Sequence, residues 1–407
     1  MSDSADAHDP AHALRVAFAL ALGSAIALGL GRFSYALLLQ PMRDDLGWSY
    51  LTAGAMNTVN AAGYLIGALF APRWLAKHDA RAVLLAGGVA ASLLLAAHGL
   101  VLGDAALYAL RLLTGVASAA LFVSGGVLAA RLGVTHASRA GLLLGVYYGG
   151  TGLGIVASAL LVPPLLAFEA AHAWQWAWVA LGVAAALSTA AMSAPTRPLA
   201  AKPVPREAGQ RGFDWRPFSF GLAGYFMFGI GYIGYMTFVI ALLREQGLGA
   251  VQTIAFFVLL GVGVVASSWL WAGLLQRARG GEALGLLNAL LAVATVLPVF
   301  SAHPVAVFVS GALFGSVFLS LVASTTALVR HNLPASAWAG GIAAFTIVFA
   351  FGQIVGPSVV GWIADAAGGL QRGLGFSALA LGVGAVLAFR QRPLRSAGGE
   401  AAPARVP

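Results

Sequence analysis

The chain contains no cysteine, which excludes disulfides, thiolate metal sites and cysteine nucleophiles. Charge is also scarce: 9% of the 407 residues are Asp, Glu, Lys or Arg, where a soluble domain carries about 25%. Acidic residues are the rarest of these, 14 against 23 basic ones. What is present is apolar, with 60% hydrophobic residues and 52 glycines. No soluble fold could bury so much apolar side chain and keep a wettable surface, so the expected solvent is the bilayer. Glycine at this level suits close helix contact in lipid. The formal charge of +9 does not indicate a nucleic-acid partner, because the basic residues are scattered through short loops between apolar stretches. Glycine triplets such as GLG and GIG lie inside apolar stretches with no strand before them, so they are packing glycines rather than a phosphate cradle. Neither an enzyme, nor a nucleotide-driven pump, nor a bound cofactor or metal is expected. The first fifteen residues, MSDSADAHDPAHALR, lack the basic start of a cleaved signal peptide.

A membrane span needs about 20 apolar residues. Twelve such stretches are present, near 14–40, 50–71, 82–102, 105–130, 140–165, 174–194, 217–243, 250–275, 283–302, 304–329, 338–364 and 372–390. The expectation is an all-α membrane protein of twelve transmembrane helices in two six-helix bundles, 14–194 and 217–390. A tail at 1–13, a linker at 195–216 and a tail at 391–407 complete the chain. Alternate loops collect the basic residues, among them Arg73, Lys77, Arg81, Arg131, Arg139, Lys202, Arg206, Arg211, Arg277, Arg330, Arg395 and Arg405, while the opposite loops hold only Arg43, Arg244 and Arg372. By the positive-inside rule, both tails and the Pro- and Arg-rich linker are expected on the cytoplasmic side.

The two halves repeat at a constant offset, with no gaps. GLGRFSYALLL at 29–39 lies over GIGYIGYMTFV at 229–239. Gly47, Gly63, Gly115 and Gly182 recur as Gly247, Gly263, Gly315 and Gly382, and Lys77 meets Arg277. With this much glycine some matches are accidental. LYALRLLTGVASAA at 107–120 and GQIVGPSVVGWIAD at 352–365 resemble the fourth and eleventh helices of the major facilitator superfamily. GVYYGGTGLG at 145–154 resembles its glycine-rich fifth helix only loosely, without the usual Gly-Pro pair. The loop GALFAPRWLAKHDAR at 67–81 keeps the leading glycine and the basic residues but has Ala71 where the family carries Asp. That puts the family's charge latch on the cytoplasmic side in doubt. GLGRFSYALLLQPM, NTVNAAGYLIGAL and GYIGYMTFVIALL resemble, more narrowly, the YbfB/YjiJ-like branch. The resemblance implies a monomeric secondary transporter of a bacterial inner membrane, working by alternating access.

Ionisable groups inside spans are costly and mark function by default. Only Arg32 and Arg111 lie well inside spans, and no Asp or Glu falls near a span centre. Asp44, Asp45, Asp104, Glu169 and Glu245 fall in outer loops, and Asp365 at a span end. On an ideal helix Arg32 lies about 27 Å beyond Leu14, and Arg111 about 9 Å in from Ala105, so both fall in the outer half. In the resembled fold the first and fourth helices line one cavity, which would give a positive site with no carboxylate to neutralise it. An arginine fork suits carboxylate or phosphate oxygens. Two readings of each arginine stay open: Arg32 binds an anion or reaches to the interface, and Arg111 contacts substrate or serves the fold.

Further candidates sit on compatible faces. Tyr35 lies three residues from Arg32, and Tyr232 and Tyr235 repeat that spacing on the seventh span. Asn57, Asn60 and Tyr64 form a polar stripe whose commoner role is bonding between helices. Tyr147 and Gln353 are weaker candidates, and a histidine placed like His98 is usually interfacial. Without a buried carboxylate, the expected coupling is a substrate bringing its own proton, anion exchange or facilitated diffusion. The expected substrate is a small organic anion such as a monocarboxylate. Efflux of amphipathic drug-like compounds and a non-transporting receptor are the alternatives.

Overall fold

The computed structural model describes residues 10–168, 170–199, 213–334, 337–366 and 368–394. Most of the two tails, the centre of the linker and Glu169 therefore lie outside the described residues, as do Lys202, Arg206, Arg211, Arg395 and Arg405. Among the described residues there is no strand. The first helix, α1, runs through Pro10–Ser24, a π-helical segment Ala25–Phe33 and Tyr35–Leu46. It is followed by α2 (Tyr50–Lys77), α3 (Ala80–His98), α4 (Asp104–Thr135), α5 (Ala140–Leu166) and α6 (Ala173–Ser193). The second half has α7 (Ser219–Glu245), α8 (Ala250–Leu270, continued by Ala272–Arg277), α9 (Glu282–Phe300), α10 (Pro304–Asn332), α11 (Trp338–Asp365) and α12 (Gly369–Phe389).

All twelve expected spans are helices, and most run past the apolar stretch that announced them. Helix α1 starts at Pro10, inside the expected tail, and continues through Pro41 to Leu46. Among the described residues eleven helices are long and apolar enough to cross a membrane; the exception is α2, whose 28 residues include Asn57, Asn60, Arg73 and Lys77. At 1.5 Å per residue α2 still spans about 42 Å, beyond the roughly 30 Å of hydrocarbon. Large apolar side chains point outward along the bundle, with Leu93, Leu187 and Trp362 each 67% exposed. Only a lipid surround makes such a surface stable.

The halves α1–α6 and α7–α12 are built alike. Within the first, α1 packs on α5, α2 on α4 and α3 on α6; within the second, α7 packs on α11, α8 on α10 and α9 on α12. The turns match as well. Gly47 and Gly247 both close their helices in the left-handed region, at φ 66° and 90°. Around them Trp48 N–H donates to Arg43 O and Leu248 N–H to Leu243 O, at 3.0 and 2.9 Å. Between α2 and α4 the backbones come so close that a Cβ on Gly115 would lie 2.1 Å from Asn60 O. Its counterpart Gly315 would place one 2.2 Å from Leu260 O, the residue that stands over Asn60 in the repeat.

Across the halves, α5 packs on α8 and α2 on α11. We call the end of the bundle where α1 and α7 begin and α6 and α12 end the terminal face, and the other the distal face. The halves are tied at the distal face. The Asp365 carboxylate at the end of α11 accepts the N–H groups of Tyr50 and Leu51, 2.7 and 2.8 Å away, at the start of α2. The Tyr50 hydroxyl donates to Glu245, and Thr58 Oγ1 donates to Ile354 O at 2.8 Å.

Candidate functional site

The site begins with an irregularity in α1. The backbone between Ala25 and Phe33 is π-helical, and Ser34 N–H donates five residues back to Gly29 O at 3.0 Å. π-helical segments are rare and are found frequently at functional positions. Arg32 lies within this one. It is 4% exposed, and its Nη1 donates to Gln353 Oε1 of α11 at 2.6 Å. Its guanidinium carbon lies 5.4 Å from the centre of the Tyr64 ring on α2, within cation–π range. Its Nε–H is buried and has no hydrogen-bond partner among the described residues.

Gln353 Oε1 takes a second donor, the Tyr232 hydroxyl of α7, also at 2.6 Å. Tyr232 is 1% exposed and belongs to a stack of aromatic rings. Its ring centre is 4.7 Å from Phe228, 5.1 Å from Phe318 and 5.4 Å from Phe349. One wall of the site is thus cationic and comes from the first half; the facing wall is aromatic and comes from the second.

Arg111 on α4 is the second buried arginine, and each of its three nitrogens has a partner. Its Nη1 donates to Gly31 O and its Nη2 to Asn57 Oδ1, both at 3.0 Å, and its Nε to Met56 O at 3.4 Å. Its guanidinium carbon also lies 4.9 Å from the Tyr35 ring centre and 5.7 Å from that of Trp178. Arg111 therefore ties together α1, α2, α4 and α6.

The sequence candidates divide between these two arginines. Gln353, Tyr232 and Tyr64 gather at Arg32. Tyr35 is placed against Arg111, with its hydroxyl donating to Ala53 O at 2.8 Å. The three-residue spacing from Arg32 does not make the two side chains share partners, because the π segment ends between them. Asn57 serves Arg111 and reaches across the halves, its Nδ2 donating to Thr237 Oγ1 at 2.7 Å. Asn60 donates to Arg111 O at 3.1 Å. Tyr235 turns into its own half, where its hydroxyl is 2.7 Å from Ser310 Oγ and its ring 4.0 Å from Phe314. Tyr147 donates to Phe122 O at 2.5 Å, and Phe122 in turn lies 6.4 Å from Tyr64. His98 is buried rather than interfacial: it stacks on Trp178 at 4.4 Å, and its Nδ1 lies 2.7 Å from Leu94 O. Phe318 and Phe349 escaped the sequence reading. The available signal was spacing, since Phe345, Phe349 and Gln353 stand at four-residue intervals on one face of α11.

A family model described as an uncharacterised MFS-type transporter YbfB matches residues 24–389. The chain belongs to this branch of the major facilitator superfamily. Among solved structures, the fold resembles a bacterial homologue of the human lysosomal transporter Spinster, in an inward-facing, unoccupied conformation. The TM-score is 0.71 at 14% identity, over 94% of this chain and 97% of that one. The nucleoside transporter NupG gives 0.67 at 14% identity, over 92% and 97%. The human organic anion transporter MFSD10 gives 0.61 at 15%, over 94% and 100%. No curated protein matches by sequence. At these identities the structural neighbours show the fold alone; the family match is what makes this facilitator chain a transporter.

Proposed function

We propose that this transporter moves a small organic anion, a monocarboxylate in the simplest case, by alternating access of its two halves. The observation that carries the reading is Arg32. It is a guanidinium buried between the halves, with no Asp or Glu paired to it among the described residues and with an unpartnered Nε–H. An arginine at membrane depth costs at least about 2.5 kcal/mol unless compensated. A neutral amide and one ring compensate it only in part; an anion compensates it in full, through charge-assisted bonds about twice as strong. The aromatic wall of Tyr232, Phe318 and Phe349 suits an apolar or aromatic body on that anion. MFSD10, named as an organic anion transporter, offers a precedent on the same fold.

In this reading the rocking bodies are 14–194 and 217–390, joined by the linker 195–216. The terminal face is cytoplasmic, because Arg73, Lys77, Arg81, Arg131, Arg139, Arg277 and Arg330 cluster in the helix ends and turns at that end. The protein acts as a monomer in a bacterial inner membrane. The substrate's own proton or a counter-anion supplies the coupling, since among the described residues no carboxylate pairs with Arg32 to relay one. Arg111, with each of its three nitrogens donating to a helix carbonyl or to Asn57, holds the first half together.

The aromatic wall also supports a second reading, export of amphipathic compounds. A thermal-stability screen of the purified protein against organic anions, cations and neutral solutes separates the two. The anion reading expects stabilisation by carboxylates or phosphates that vanishes in Arg32→Gln. Stabilisation by hydrophobic cations, or by ligands indifferent to Arg32, would sink it.

A further inference from the structure

Two donors converge on one atom in this site. Arg32 Nη1 and the Tyr232 hydroxyl each lie 2.6 Å from Gln353 Oε1. Arginine has no acceptor, so the amide must turn its oxygen, not its NH2, toward Nη1. The Tyr232 hydroxyl, sharing that oxygen, must then donate as well. A carbonyl oxygen held by a guanidinium N–H and a phenolic O–H has the surroundings of a carboxylate oxygen in an anion site. Resting on the anion reading of Arg32, we propose that the Gln353 side chain is a built-in stand-in for the substrate. Its amide oxygen occupies the place of a substrate carboxylate oxygen and leaves when the anion arrives.

Three features support the exchange. A neutral amide binds a guanidinium more weakly than a carboxylate does, so the anion displaces it downhill. The amide offers one acceptor atom and leaves Arg32 Nε–H bare, whereas a carboxylate brings a second oxygen. Gln353 also comes from α11 of the second half, while Arg32 comes from α1 of the first. The stand-in therefore lets the halves close on an empty site without leaving a buried charge unligated, as a bound substrate would. That makes return of the empty carrier possible, and with it net transport rather than obligatory exchange. Gln353 is then a residue that sets affinity and mode of transport, without being a substrate ligand.

Two variants test this, with acetate, pyruvate and benzoate as probes. Gln353→Ala removes the competitor. It should bind the best of the three about fivefold to tenfold more tightly than wild type by calorimetry. In vesicles it should keep counterflow of that probe but lose net efflux by about the same factor. Gln353→Glu places a tethered carboxylate on Arg32; it should remain folded and bind none of the probes. Weaker binding by a folded Gln353→Ala, or binding by Gln353→Glu equal to wild type, overturns the stand-in while leaving the anion site intact. Wild-type protein that binds none of the three overturns both.

Discussion

At the residue scale the two buried arginines look alike in the sequence and differ in their partners. Arg111 spends its donors on Gly31 O, Met56 O and Asn57. Arg32 meets only an amide oxygen and a ring, and keeps a donor in hand. Opposite consequences follow on substitution. Arg111→Met strands several buried acceptors and should destabilise the protein by about 2–4 kcal/mol, read as a lower melting temperature, with ligand selectivity unchanged in what folds. Arg32→Lys keeps the charge but loses the planar fork, and should keep the fold while weakening carboxylate binding about tenfold. A ligand affinity that followed Arg111 and ignored Arg32 would reverse the two roles. Both arginines were legible because charge is so rare inside the spans. Their separate roles were not, because they depend on which carbonyls the fold brings near, and no spacing in the sequence encodes that.

At the element scale, the gapless repeat foretold most of the architecture. The turn hydrogen bonds at Trp48 and Leu248, and the close passes at Gly115 and Gly315, match residue for residue. Gly382 shows the limit of such reading: a Cβ there would meet nothing within 4 Å, while its counterpart Gly182 would meet Ala96 N at 2.6 Å. Shared composition, not packing, explains that match. Gly115→Ala and Gly315→Ala should each lower the melting temperature by several degrees, whereas Gly382→Ala should leave it unchanged; equal effects at all three positions would contradict this packing account. The π segment of α1 was not legible at all. Its apolar run looks like any other span, and Gly29 within it packs so closely on α5 that a Cβ would lie 2.4 Å from Gly154 Cα, a contact between helices far apart in the chain.

At the scale of the whole molecule, the departure at Ala71, which the structure places within α2 rather than in a loop, gains meaning from the distal face. There a carboxylate does bind a helix N-terminus across the halves: Asp365 of α11 holds the first N–H groups of α2. A negative charge at that position also complements the helix dipole. Asp365 was visible in the sequence as a charge at a span end, but its partner lies 315 residues away, beyond any local pattern. Loss of this tie should shift the molecule toward opening at the distal face. The cysteine-free chain makes the test clean, with one reporter thiol at Thr237→Cys, a buried seam position bonded to Asn57. Adding Asp365→Ala should speed its labelling by an impermeant maleimide from the distal side about tenfold. An unchanged rate would mean that Asp365 does not hold the halves together. The central claim, an anion site at Arg32 in a molecule that rocks around it, meets its most direct test in vesicles preloaded with unlabelled benzoate. Wild-type protein should accumulate labelled benzoate by counterflow, and Arg32→Gln should not; equal counterflow by the two, or none by a folded wild type with any monocarboxylate, would contradict the account.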